Sequence, residues 1–211
     1  MGFTHIFDHP LIHHKISFLR DKNTPSPQFR QMVNEIAMLM AYEISRDFPL
    51  VKATVETPLT TTECQRLADQ SVILVPILRA GLGMLEGFQF VVPTACVGHI
   101  GMARNEETLV PEPYYHKLPA HVTEAHVIVL DPMLATGGSA CNAISFLKSQ
   151  GAKDITFAAI LGTDIGLQRV HDEHPEVNVY LAEKDPILNE HGYIVPGLGD
   201  AGDRIFGTVN P

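Results

Sequence analysis

The chain contains no tryptophan, only three cysteines, and fewer basic than acidic residues. Cys64, Cys96 and Cys141 are an odd number and too few for a disulfide framework, and no CxxC pair offers the thiolates of a zinc site. Three reduced thiols fit a cytoplasmic protein. Lys and Arg total 15 against 24 Asp and Glu, a formal charge of −9. That balance argues against nucleic acid and anionic membranes as partners, since both are gripped by clustered Lys and Arg. The longest apolar run, Val72 to Leu78, falls far short of the roughly 18 residues of a membrane span. The N-terminal stretch MGFTHIFDHPLIHHK lacks the apolar run of a signal peptide. No GxxxxGKS or GxxxxGKT motif occurs, so a P-loop nucleotidase is not supported.

What remains is globular: 45% hydrophobic and 18% charged over 211 residues, enough for one domain of ordinary size. Pro10 can open a helix to about Arg20, capped by Asp8 or His9. After the break at Asn23–Pro27, the residues Phe29, Met32, Val33, Ile36, Met40 and Ile44 recur at helical spacing, and Pro49 stops that helix. Val51, Ala53 and Val55 alternate with polar residues, which predicts a half-exposed strand. Val72–Val75, Val127–Leu130 and Ile155–Leu161 are continuous apolar runs, and Val177, Val179 and Leu181 make a fourth. Such runs, separated by helical segments at 140–150 and 162–171, predict an α/β protein: buried parallel strands with helices on both faces. Gly151 suits the C-terminal end of the first of those helices. The polar stretch from Met102 to Leu118 reads as a long loop or hairpin. The Gly- and Pro-rich tail from Pro186 to Pro211 is expected to be ordered by packing on the sheet.

The most informative segment runs from Val127 to Ser139, where a buried strand ends in Asp131 and a small-residue loop leads into a helix. Ligands of open parallel sheets bind beyond the carboxyl ends of the strands, and helix N-termini present free amides to anions. Thr136 and Ser139 add hydroxyls, and Gly137 and Gly138 permit close approach. Asp131 cannot hold a phosphate, but it can hold the hydroxyls of an attached sugar, so the segment reads as a sugar-phosphate site, the alternative being an ordinary strand–turn–helix with a capping Ser or Thr. Arg79 ends another buried strand and is either aimed at the same ligand edge or a surface arginine before a helix. Gly81, Gly83 and Gly87 have the wrong spacing for a dinucleotide fingerprint, and no strand ending in an acid follows about 20 residues on. Arg104–Glu107 taken alone is a solvated charge run, and the glycines of Tyr193–Arg204 could present backbone groups to a flat polar ligand or form a tail loop. His171 and His174 sit one helical turn apart with no further ligand placed by spacing, and Cys141 reads as a packing residue.

Together these segments resemble the uracil phosphoribosyltransferase family over most of the chain, from His9-Pro10-Leu11 to Ile205-Phe206-Gly207-Thr208. The specific blocks are Val75–Met84, Gly101–Thr108, Asp131–Ser139 and Asn189–Gly202, with Pro132 where most related transferases carry a second acid. The resemblance implies the type I phosphoribosyltransferase fold: a parallel sheet core flanked by helices, as one domain over 1–211, with a small hood over the base from about 184–207 and N-terminal parts. It implies the reaction of uracil with 5-phosphoribosyl 1-diphosphate to UMP and diphosphate, with Mg2+. It assigns Asp131, Pro132, Met133, Leu134, Ala135, Thr136, Gly137, Gly138 and Ser139 to the ribose 5-phosphate part, and Arg79 and Arg104 to the diphosphate. Ile194, Gly199, Asp200 and Ala201 are assigned to uracil, with Asp200 also facing the phosphoribosyl substrate or its magnesium. Catalytic weight falls on Asp131, Arg104 and Asp200, and the loop Arg104–Tyr115 suits a lid. A homodimer or higher homo-oligomer is implied, as is a GTP effector, a property of some members only. The chain departs from the family at Gly162–Gly166 and Glu183–Ile187, segments expected to lie clear of the matched binding positions. Two alternatives stay open: an RNA-binding regulator on the same fold, which needs a basic face, and a transferase for a purine or orotate, which needs a larger pocket or a cation for the carboxylate.

Overall fold

The computed structural model describes residues 2–68, 72–104 and 111–208, and the side chains of these except at 103, 104 and 111–113. The chain begins with β1 (Thr4–Ile6), α1 (Pro10–Arg20) and α2 (Ser26–Ile44), followed by a single 3-10 turn. His9 caps α1, its Nδ1 accepting from Leu11 N at 3.1 Å. A hairpin of β2 (Leu50–Glu56) and β3 (Thr61–Leu67) comes next, then β4 (Val72–Leu78) and α3 (Leu82–Val91). Two-residue β5 (Cys96–Val97) precedes β6 (His99–Arg104) and β7 (Pro111–Lys117). The remainder is β8 (His126–Leu130), β9 (Met133–Leu134), α4 (Gly138–Ser149), β10 (Asp154–Gly162), α5 (Asp164–Glu173), β11 (Asn178–Lys184), β12 (Ile187–Leu188), β13 (Ile194–Val195) and α6 (Ala201–Phe206).

The main sheet has the order β1-β11-β10-β8-β4-β6-β7, parallel except for the β6–β7 pair. Its four central strands are the four apolar runs. They are continuously apolar because both faces are covered. Leu74, Ile128, Leu130, Ala158 and Ile160 face the layer of α1, α2 and α3, whereas Ile73, Val75, Val127, Val129, Phe157 and Ala159 face that of α4 and α5. The period-2 split is the pleat itself.

Two expectations change in detail. The stretch from Met102 to Leu118 forms arms of the β6–β7 hairpin, and its tip at 105–110, inside the expected lid, lies outside the described residues. The tail is ordered, but α6 packs chiefly on α2. Ile205 sits against Gly83 of α3, and Arg30 of α2 donates to Ile205 O at 2.7 Å. None of the described helices is long and apolar enough to cross a membrane.

Candidate active site

Register brings the carboxyl ends of β4 and β8 side by side, Pro76 opposite Leu130, so the segments that leave them share one edge of the sheet. They touch closely: a Cβ on Gly81 would lie 2.3 Å from Leu130 O, so only glycine lets the turn after Arg79 pass. The Leu78–Arg79 peptide is cis.

The segment 131–139 is fastened by its carbonyls. Pro132 O accepts from Ile160 N and Leu161 N, Leu134 O accepts from Thr163 N, and Ala135 O accepts from Thr163 Oγ1 at 2.7 Å. Pro132 and Leu134 are buried, and Met133 and Leu134 pair with β10 as β9. With these carbonyls turned into the fold, the exposed part of the segment is Thr136 and Ser139, while Gly137 and Gly138 are buried. Gly137 precedes α4 at φ +78°, a left-handed conformation that favours glycine, and it supplies no side-chain cap. Gly138 N apart, the first-turn amides of α4 therefore keep their donor capacity. Thr136 Oγ1 accepts from Gly138 N at 3.4 Å.

Asp131 is part-buried at the strand end, its Oδ1 accepting from Met133 N at 3.3 Å. Burial pushes its carboxyl up to about 7, against that one amide bond. Among the described residues no cation is paired with it.

Arg79 is tied to the tail. Its Nη2 lies 3.2 Å from Asp203 Oδ1 and its Nη1 3.4 Å from Thr208 Oγ1. The Thr208 hydroxyl and Arg79 hold the Asp203 carboxyl below its ordinary range. Asp200 caps α6, Oδ1 accepting from Asp203 N at 2.8 Å. Gly199 has φ +80°, and Ala201 is buried. The structure thus brings together Arg79, the 131–139 segment and Gly199–Ala201. Ile194 is different: its side chain is buried in the core, and Gly197 closes on its carbonyl, where a Cβ would come within 2.1 Å. Arg104 ends β6, three residues beyond the partner of Leu78, and its side chain lies outside the described residues. A cavity of about 420 Å³ runs along Pro196–Asp200, with Arg20, Lys22, Thr24 and Ser26 opposite.

The first departure touches a matched position, and the second is tied to Gly197, two residues before Gly199. Thr163 in the first caps α5, its Oγ1 accepting from Gly166 N at 3.0 Å while donating to Ala135 O. It fastens the 131–139 segment. In the second, buried Asp185 receives both Nη atoms of Arg20 and accepts from Gly197 N at 2.9 Å, while Arg20 donates to Gly197 O at 3.0 Å. Arg204 donates to the carbonyls of Leu19, Leu198 and Asp21 and lies 4.3 Å over the Phe29 ring. Sequence reasoning missed Thr163, Arg20, Asp185 and Arg204 because each has a partner far along the chain: Ala135 for Thr163, Asp185 for Arg20 and Leu19 for Arg204. Away from this edge, His174 is buried and satisfied by Cys141 O, Ser145 and Lys148, burial pushes the Cys141 thiol up to about 11, and folding sets the Glu173 carboxylate within 4.8 Å of both, a third group that spacing did not place.

The family model described as uracil phosphoribosyltransferase matches residues 6–208. The chain is 53% identical over 208 residues to the uracil phosphoribosyltransferase of Brevibacillus brevis, covering 99% of this chain and all of that one. It is 58% identical over 203 residues to that of Finegoldia magna, covering 96% and 97%. Among solved structures, the AQ2163 protein from Aquifex aeolicus superposes with a TM-score of 0.93 at 36% identity, covering 99% of this chain and 100% of that one. The hypoxanthine-guanine phosphoribosyltransferase of L. donovani, at 10% identity and TM-score 0.52 over 76% of this chain and 84% of that one, shares the fold alone. The sheet order, the two helical layers and these matches place the chain in the type I phosphoribosyltransferase fold and make it a member of the uracil phosphoribosyltransferase family.

Proposed function

We propose that this protein transfers the phosphoribosyl group of 5-phosphoribosyl 1-diphosphate to uracil, releasing diphosphate and forming UMP. One observation carries the reading: an unpaired acid at the end of β8 runs into a segment whose carbonyls are fastened inward and whose amides are left for an anion, beside Arg79.

In this reading the 5-phosphate lies on Ala135–Ser139 and the ribose hydroxyls on Asp131. Displacing diphosphate from the sugar carbon builds positive charge on the ring and negative charge on the leaving group. The Asp131 carboxylate favours the first, and Arg79 with Arg104 favours the second. No protein nucleophile is needed, so catalysis is orientation and electrostatics, with water kept from the activated sugar by the β6–β7 hairpin. Backbone groups of Ile194 and Gly199–Ala201, in a hood formed by about 184–207 and N-terminal parts, read the base.

The donor set fits Mg2+ carried in by the substrate. The metal prefers oxygen ligands and keeps phosphate oxygens among them. Among the described residues the cleft holds no cluster of three ligating side chains, whereas Asp200 spends only Oδ1 on a protein amide. Magnesium bound by diphosphate and Asp200 would neutralise charge on the leaving group. The same reading places the enzyme in the cytoplasm as a homo-oligomer with GTP as an effector, checked by sedimentation and by a GTP-dependent rise in kcat/KM.

The test is a base panel of uracil, cytosine, hypoxanthine and orotate, each with 5-phosphoribosyl 1-diphosphate and magnesium. Uracil is expected to exceed each other base by about 10⁴ in kcat/KM, because a mismatched base leaves buried donors and acceptors unpaired. Comparable use of cytosine overturns the base assignment.

A further inference from the structure

The helix that follows the first departure carries a cation to the anion segment. Arg169 stands on α5, and α5 packs directly on 131–138. A Cβ on Gly166 would meet Leu134 O and Ala135 O at 2.7 Å, and one on Gly137 would lie 3.0 Å from Gly166 O and 3.2 Å from Arg169 Cβ. At Gly138 a Cβ would sit 3.3 Å from Arg169 Nη1 and 3.6 Å from Thr136 Oγ1, so guanidinium and hydroxyl flank the same side of that glycine.

The guanidinium is aimed but not used up. Its Nε donates to Glu173 Oε1 at 2.8 Å, one turn along α5, and neither Nη has a protein acceptor among the described residues. Glu173 holds the guanidinium in its charged form, raising it above its ordinary range. The N-terminus of α4 carries partial positive charge, and no acidic residue stands in the first turn of that helix. Glu173 offsets the arginine from behind, which leaves the Nη edge facing the segment that binds negative charge.

Resting on the function proposed above, we propose that Arg169 is a binding residue for the 5-phosphate of the substrate and of UMP, a side-chain wall beside the backbone amides of 135–139. An arginine edge suits the doubly charged phosphate monoester in a way that hydroxyls and amides alone do not.

The test compares UMP with uridine, which differ by the 5-phosphate alone. Arg169→Ala is expected to weaken UMP binding about five- to twentyfold and leave uridine unchanged. The KM for 5-phosphoribosyl 1-diphosphate should rise by a similar factor, with kcat within about twofold, and Arg169→Lys should recover part of the loss. A merely structural role would shift both ligands together, so an unchanged ratio of UMP to uridine affinity overturns the proposal. Should Arg169→Ala fail to fold, Arg169→Gln is read in the same way. Failure of wild-type protein to form UMP from uracil overturns the functional reading instead, and is measured separately.

Discussion

At the scale of single residues, Asp131 carries the sharpest consequence. Its carboxyl is raised to about 7 by burial, so the folded protein holds a proton there that the unfolded chain releases near pH 4. Stability from this group is therefore full below pH 4 and is lost as pH rises toward 7. Asp131→Asn keeps the volume and can keep the bond from Met133 N while removing that loss. We expect the variant to melt higher than wild type at pH 8, by about 2–4 °C for each kcal/mol relieved, with the gap closing toward pH 5. Turnover should fall about 10²–10³-fold, the usual cost of one preorganised electrostatic contact. A variant with unchanged kcat removes Asp131 from the chemistry, and one that melts lower at pH 8 contradicts its strained ionisation. Arg79→Ala should reduce kcat/KM by about 10²-fold through 5-phosphoribosyl 1-diphosphate; a change confined to the KM of uracil would contradict its place on the diphosphate. Gly199 takes φ +80°, so even Gly199→Ala strains the backbone, and its loss of uracil use must be read beside retained binding of 5-phosphoribosyl 1-diphosphate.

At the scale of elements, the parts that chemistry uses are held by ties that sequence spacing does not reveal. Helices α1 and α2 and the four central strands were legible, because Pro10, the Phe29–Ile44 periodicity and the apolar runs are local signals. Asp131 and the amide segment were legible too, since an acid, small residues and a helix start follow one another in the chain. The β2–β3 pairing, the capping of α5 by Thr163 and the Arg20–Asp185 pair were not, for each depends on a partner brought near only by folding. The last of these holds Gly197, two residues before Gly199. Asp185→Ala would leave the part-buried Arg20 with Glu183 as its one carboxylate partner beside Gly197 O, at a cost of about 3–5 kcal/mol. We expect a lower Tm together with a severalfold higher KM for uracil, while Asp185→Asn, which can still accept from Gly197 N, restores part of the KM. A lower Tm with unchanged KM would limit the tie to stability.

At the scale of the whole molecule, a parallel sheet with both faces covered has its carboxyl edge as the natural place for a ligand. This chain sets Arg79 there from β4 and Asp131 from β8, and brings Asp200 beside them through a tail packed on α2. The most direct measurement is phosphorus-31 NMR of uracil, 5-phosphoribosyl 1-diphosphate and magnesium with wild-type protein and with Asp131→Asn. The account predicts UMP and diphosphate appearing in equal amounts with wild type, at least about a hundredfold slower with the variant, and no ribose 5-phosphate. Hydrolysis to ribose 5-phosphate, or UMP formed equally fast by both proteins, would contradict it.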